Sequence, residues 1–188
     1  MAARRFRGVQ RLIEPLKRTL GGPNVGAVAA WIDAAHGRTV EARRYFETLT
    51  ERARAFFSAT VIAASGLSAL TMAAYLLRDE ACLRIAEQLW APRHEPIFGS
   101  PISIQAASSY YRGLIAHGLG DTGRASQLLT TSIDVHRRLD APPLIAASQA
   151  ALAEVTNDSQ LAATALKAAQ AVGAWGIARQ ANAMADHT

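Results

Sequence analysis

The chain has 188 residues, of which 50% are hydrophobic but only 6% aromatic, and a formal net charge of +5. This length suits one domain or a single stack of repeats, and the abundance of alanine favours close-packed helices over sheets. Cys82 is the only cysteine, which excludes an intramolecular disulfide and a multi-cysteine metal site. A single thiol also fits a reducing, cytoplasmic location.

The first predicted element is a basic amphipathic helix over residues 1–20. Residues 1–18 hold six basic side chains and one acidic side chain, whereas the rest of the chain carries 14 of each sign. We therefore do not expect direct nucleic-acid binding along the body of the protein. The apolar side chains of this helix recur every three or four residues, at Phe6, Val9, Ile13, Leu16 and Leu20.

The arginines of this helix form a candidate basic patch that allows two interpretations. The patch docks on nucleic acid, an anionic membrane surface or an acidic partner, or the arginines keep soluble a helix that caps the first repeat. Its members are Arg4, Arg5, Arg7 and Arg11.

Helix pairs joined by short turns follow, and we assign residues 21–188 to one repeat domain. The turn positions Gly37, Arg78, Gly120 and Asn157 are spaced by 41, 42 and 37 residues. A period of this length predicts an all-α fold without strands, in which antiparallel hairpins stack as a TPR-like right-handed solenoid of about four repeats. The predicted helices cover residues 25–36 and 39–54, 58–77 and 79–90, 102–119 and 121–139, 142–155 and 157–172, and 175–186.

The predicted helix over residues 58–77 raises a second possibility, because the chain carries no charge between Arg54 and Arg78. The stretch is long enough to cross a bilayer. It also holds several Ser, Thr and Gly residues, and much of its apolar content is alanine, which contributes little to membrane insertion. We therefore predict a buried repeat helix and no membrane span.

The third pair carries the clearest TPR-like pattern. Gly113 on its first helix and Ala125 on its second are small, so that the two helices can approach closely, and Leu129 follows as a large apolar wedge,. In the second pair Arg78 stands at the turn and Leu83 replaces the small residue. That pair is assigned by spacing alone.

Residues 25–185, and above all YYRGLIAHGLGDTGRASQLLTTSIDVHRRLDAPPLIAASQAALAEV, resemble the C-terminal TPR-like repeat region of large actinobacterial signal-transduction ATPase regulators of the LuxR-type or cyclase-coupled kind. The segments APRHEPIFGSP and AVGAWGIARQANAM belong to the same resemblance. It implies a region that senses an inducer or binds a partner and thereby restrains the ATPase. The chain lacks a G-x-x-x-x-G-K-[ST] loop,, so the ATPase and DNA-binding functions are not carried over. The expectation is a free-standing repeat domain or the C-terminal piece of a longer regulator.

We find no pattern that predicts catalysis, a metal site or a cofactor. The five histidines lack the spacing of metal ligands, and His36 and His117 stand at predicted helix ends, where imidazoles commonly contact free carbonyls,. The histidine of the RHEP loop, His94, adjoins a base and an acid, but we expect this loop to be solvated. We therefore do not expect an enzyme.

The candidate interaction groove follows from the predicted stacking, in which the first helices of the pairs line one wall. Aromatic bodies with polar tips on this wall suit a peptide or a small ligand. Alternatively, the aromatic rings pack between neighbouring repeats. The predicted function is a non-catalytic module for protein–protein interaction or regulation; the alternatives are small-molecule inducer sensing and a non-functional fragment of a larger regulator. The groove residues are Trp31, Tyr75, Tyr110, His117 and Glu154.

Overall fold

The computed structural model of the chain describes residues 22–59, 63–92, 97–100 and 103–185. These residues are mostly helical, with ten helices and one two-stranded hairpin among them. The chain divides into two compact units between Pro92 and Arg93. The predicted basic helix of residues 1–20 and its candidate patch, Arg4, Arg5, Arg7 and Arg11, lie outside the described residues, so both stay predictions.

The first unit contains five described helices. Its first helix, α1 (Pro23–Ala35), packs most extensively on α4 (Ala64–Leu77), which lies three helices further along the chain. Gly66 allows this close packing, because a Cβ there would collide with Asn24 of the first helix and with Phe57. Gly26 has the same role between the first two helices, because a Cβ there would collide with the ring of Tyr45. The helices are α1 (Pro23–Ala35), α2 (Thr39–Glu47), α3 (Glu51–Ala59), α4 (Ala64–Leu77) and α5 (Glu80–Trp90).

Polar contacts between residues distant in sequence hold this unit together. The Tyr45 hydroxyl donates to the Pro23 carbonyl oxygen at 2.6 Å. The Trp90 indole N–H donates to the Thr71 hydroxyl oxygen at 2.8 Å within the core. Each of these bonds joins two helices and satisfies a polar group that burial would otherwise leave without a partner.

The second unit follows chain order more closely. It begins with an antiparallel hairpin, and each of its helices packs extensively against the next one along the chain. Asp121 and Asp158 cap the helices that begin at Thr122 and Ser159, because each carboxylate accepts a hydrogen bond from the backbone N–H three residues further along the chain,. The elements are β1 (Ile97–Ser100), β2 (Ser103–Ala107), α6 (Ser108–Gly118), α7 (Thr122–Arg138), α8 (Pro142–Thr156), α9 (Ser159–Ala171) and α10 (Trp175–Ala185).

Small residues line the helix contacts of the second unit, as the sequence predicts. A Cβ at Gly113 would lie 2.8 Å from the Cγ of Leu129, so only glycine admits the fully buried Leu129 side chain at this point. Further along the chain, alanines from three helices form two clusters, Ala146, Ala169 and Ala178, and Ala150, Ala165 and Ala181.

The four aligned turn positions share one backbone conformation. Gly37, Arg78, Gly120 and Asn157 have φ angles of +74°, +49°, +83° and +53°. All four therefore lie in the left-handed region that ends helices. The predicted turns are confirmed, including the one at which an arginine stands.

Three predicted helices are wrong in extent. The predicted helix 39–54 is interrupted after Glu47, because Leu49 turns into the core and the Thr50 hydroxyl caps a new helix by accepting from the Ala53 N–H at 3.2 Å. In place of one helix over residues 58–77, α3 ends at Ala59 and α4 begins at Ala64. No helix in the described ranges is long and apolar enough to cross a membrane.

The third correction concerns the predicted helix 102–119, which begins only at Ser108. Residues Ser103–Ala107 form β2 and pair with β1, so the expected absence of strands is wrong, whereas the described residues are mostly helical and agree with the predicted all-α class. The alternation of Ser103, Ile104 and Gln105 has the period of a strand,. The pairing of Ile97 with Ala107 then uses the backbone groups that an earlier start of α6 would need.

Candidate functional site

Three helices of the second unit, each the first of a successive pair, lie side by side: α8 contacts both α6 and α10. A row of polar side chains crosses them. The His117 Nε2 atom on α6 lies 3.7 Å from the Glu154 Oε1 atom on α8. The Gln180 side-chain N–H on α10 donates to the other oxygen of Glu154 at 3.1 Å. We call His117, Glu154 and Gln180 the polar row.

The polar row reaches solvent. The side chains of His117 and Glu154 are each 24% exposed, so a ligand can contact them without rearrangement of the core. The carboxylate carries charge, the Gln180 amide offers both a donor and an acceptor, and the imidazole forms an ion pair with Glu154 when it is protonated. The row can therefore recognise hydrogen-bonding or cationic groups.

Tyr110 lies two helical turns before His117 and on the same side of α6,. Its ring centroid is 5.3 Å from that of Tyr111 and 6.5 Å from that of His136, and the side chain is half-buried. Burial, with Tyr111 and Glu154 adding to it, raises the pKa of the Tyr110 phenol. The hydroxyl therefore stays protonated at neutral pH.

The other two predicted groove residues belong to the first unit. Trp31 lies on α1 and is 39% exposed, and Tyr75 lies half-buried on α4. Their helices pack against each other. The structure thus places Tyr110, His117 and Glu154 on adjoining helices of the second unit, and Trp31 and Tyr75 on adjoining helices of the first.

The sequence prediction missed Gln180. A helix over residues 175–186 was predicted, but only the tertiary packing shows that its side chains continue the row begun by His117 and Glu154. The available signal was the position of α10 as the first helix of a further pair. Any polar residue in its middle turns was a candidate for the same wall.

A buried histidine on α7, His136, connects three elements. The Ala107 N–H at the end of β2 donates to the Nε2 atom of His136 at 2.8 Å, and its Nδ1 atom lies 3.0 Å from the Ser148 hydroxyl on α8. Since Nε2 accepts, the ring proton sits on Nδ1 and the imidazole is neutral. Burial lowers the pKa of His136, which favours this same state. His136 therefore holds the hairpin, α7 and α8 together.

Two of the side chains considered for catalysis, Cys82 and His36, are held in local structural contacts. Cys82 is buried on α5, where burial and the nearby Asp79 carboxylate raise the pKa of its thiol to about 12. The His36 Nδ1 atom lies 2.7 Å from the Ile32 carbonyl oxygen at the end of α1, the contact predicted for this position. His94 lies outside the described residues. In the described part of the chain, no group of three or more His, Cys, Asp or Glu residues could hold a metal ion.

The polar row and Tyr110 thus form a wall of hydrogen-bonding side chains on three neighbouring helices. No family model, curated protein or solved structure matches the chain, so the interpretation of this wall depends on its geometry.

Proposed function

We propose that the chain is a non-catalytic, TPR-like repeat module whose second unit binds a peptide segment of a partner protein across α6, α8 and α10. The observation that carries the proposal is the polar row, in which side chains from three successive first helices meet at Glu154. A binding surface assembled one helix at a time is the usual product of stacked hairpins.

The dimensions of the wall suit a peptide. Neighbouring packed helices are about 8–10 Å apart, so three of them span about 20 Å, which is about six residues of extended chain. Tyr110 offers an aromatic surface with a hydroxyl at its tip, and Glu154 offers a carboxylate. We therefore expect a bound segment with a basic or amide side chain near Glu154 and an apolar side chain near Tyr110.

The regulatory context is part of this proposal. The resemblance to repeat regions of LuxR-type and cyclase-coupled ATPase regulators supports a cytoplasmic role in signal transduction or transcriptional control. Such a module acts either as a free-standing domain or as part of a longer regulator. The continuous four-repeat, right-handed solenoid expected from the sequence stays a prediction.

Small-molecule inducer sensing is the alternative. Two open hollows of about 290 and 260 Å³ border Tyr45 in the first unit. Ligand pockets are usually about 300–1,000 Å³ and enclose most of the ligand, so these two hollows of the first unit are smaller than a usual inducer site.

The test is a selection of peptides from a random library on the full chain, followed by calorimetric titration of the best binders. Tyr110→Ala should weaken binding by about tenfold or more. Glu154→Gln should weaken the binding of peptides that carry a basic residue more than the binding of neutral peptides. Thr131→Ala, an exposed position on α7, is the matched control. Binders that ignore both wall substitutions would contradict the proposal. A metabolite that raises the melting temperature saturably, and does so less in Tyr45→Phe, would favour the inducer alternative.

A further inference from the structure

A second surface of the second unit has a different character from the polar row. An open groove of about 450 Å³ runs between α9 and α10, and Trp175 at its edge is 63% exposed. Its lining is mainly apolar and carries one charge. The lining residues are Leu166, Gln170, Trp175, Ala178, Arg179, Asn182 and Ala183. We call this the terminal groove.

The packing of the preceding helix pair indicates what kind of segment fits the terminal groove. One pair earlier, α8 packs between α7 and α9. α10 packs extensively against α9 and less against α8, and the terminal groove lies along α9 and α10. The element that covers the corresponding side of α8 is an α-helix of about three and a half turns, α9,. An occupant that continues the packing is therefore a helix with an apolar stripe.

The charge of the terminal groove selects among helices. From Ser159 to Ala185 the chain carries two cations, Lys167 and Arg179, and no acidic residue. A second copy of α9 and α10 would place cations against cations, and the amphipathic residues 1–20 of the chain carry the same sign in excess. An anionic bilayer is recognised by clusters of about four to eight basic residues, which these two helices lack. A helix with carboxylates beside its apolar stripe is complementary.

We infer that the terminal groove is a second protein-binding surface, which accepts an acidic amphipathic helix from a partner. Trp175 supplies the large aromatic contact typical of binding hot spots. Leu166 and Ala178, which also pack in the core of the unit, supply the apolar floor. Arg179 pairs with a carboxylate of the partner, and Gln170 and Asn182 bind its polar side chains.

The experiment uses the full chain and a synthetic helical peptide of about 18 residues, five turns, with a leucine stripe flanked by glutamates. A second peptide replaces each glutamate with lysine. We expect the acidic peptide to bind at least about tenfold more tightly than the basic one by calorimetric titration, because one charge pair is worth about that ratio. Arg179→Glu should reverse this preference, and Trp175→Ala should weaken the binding of the acidic peptide by about tenfold or more.

Controls separate this surface from the polar row and from other occupants. Trp31→Ala, a second exposed tryptophan, and Tyr110→Ala should leave binding of the acidic peptide unchanged. Equal affinity for the two peptides, no binding of the acidic one, or full affinity in Trp175→Ala would overturn the inference. So would Trp175-dependent dimerisation in analytical ultracentrifugation or Trp175-dependent binding to phosphatidylserine vesicles. If the acidic peptide does not bind the terminal groove, the proposal that the polar row binds a peptide is unaffected, since the two surfaces share none of the substituted residues.

Discussion

Both units are built from helix hairpins, but the helices pack in a different order in each. In the second unit each helix packs on the next, and the contacts follow chain order. In the first unit α1 packs most extensively on α4, although α2 and α3 lie between them in the chain. The second unit also holds the clearest repeat pattern, whereas the first carries an arginine at one of its turns.

The difference shows how a repeat pattern relates to packing. Where small and large residues recur at the expected positions, neighbouring helices fit each other and stack in sequence. Glycines set close approaches in both units: Gly113 faces the wedge residue Leu129 in the second unit, and Gly66 brings α4 against Asn24 and Phe57 in the first. The first unit should therefore be sensitive to volume at its glycines, and the second unit to loss of its wedge residues.

The largest effect is expected for the wedge residue of the second unit. Leu129→Ala removes a fully buried side chain and should lower the free energy of unfolding by about 2–5 kcal/mol. Hydrogen exchange should show the loss of protection in residues 103–185. Leu76→Ala, at a side chain of α4 that is 45% exposed, is the control and should change little. Equal loss of protection in both units would contradict the comparison.

The corresponding test of the first unit adds volume. Gly66→Ala places a methyl group against Asn24 and Phe57 and should cost about 1–3 kcal/mol of unfolding free energy, with exchange increasing in residues 22–92. Gly176→Ala adds the same methyl group in α10, where nothing lies within 4 Å. That control should be neutral or stabilising by up to about 1 kcal/mol, because alanine favours a helix over glycine. A neutral Gly66→Ala would contradict the role of this glycine.

The second unit should also respond to pH through His136. Its pKa in the folded state lies below the ordinary 6.5, so the unfolded state binds more protons between the two values. Its contribution to stability is therefore complete above pH 6.5 and decreases as the pH falls towards the folded pKa. Urea unfolding at several pH values measures this slope.

A variant of this histidine identifies the source of the slope. His136→Leu leaves the Ala107 N–H without its acceptor and should cost about 1–3 kcal/mol at neutral pH. The same substitution should flatten the pH dependence. His36→Ala, at an exposed histidine of the first unit, should keep it. A slope that survives His136→Leu would assign the pH dependence to other groups.

The smallest effects are expected at the aligned turns. Arg78 and Gly120 are both left-handed, but only glycine adopts this conformation without steric cost. Arg78→Gly should stabilise the first unit and Gly120→Ala should destabilise the second, each by about 1 kcal/mol. Gly123→Ala, at a helical glycine of α7 with open surroundings, is the control. Thermal unfolding measures all three, and a loss of stability in Arg78→Gly would show that the arginine side chain outweighs the strain.

Much of the local structure was predictable from the sequence. The period placed the turns at Gly37, Arg78, Gly120 and Asn157, and the small residue at Gly113 predicted the close packing against Leu129. These features are local because helix ends and helix faces are encoded within a few turns of chain. The wall was predictable in part, since Tyr110, His117 and Glu154 were chosen as residues of first helices.

The remaining features required tertiary contacts. Leu49 interrupts a helix because it turns into the core, β2 forms because β1 pairs with it, and His136 is satisfied by Ala107 and Ser148. Gln180 joins the polar row only because α10 packs beside α8. The sequence by itself determined the helical class and the turns, since periodicity reports on the local backbone. The packing decided which helices meet and which side chains share a surface, because that choice depends on the fit of side chains far apart in the chain.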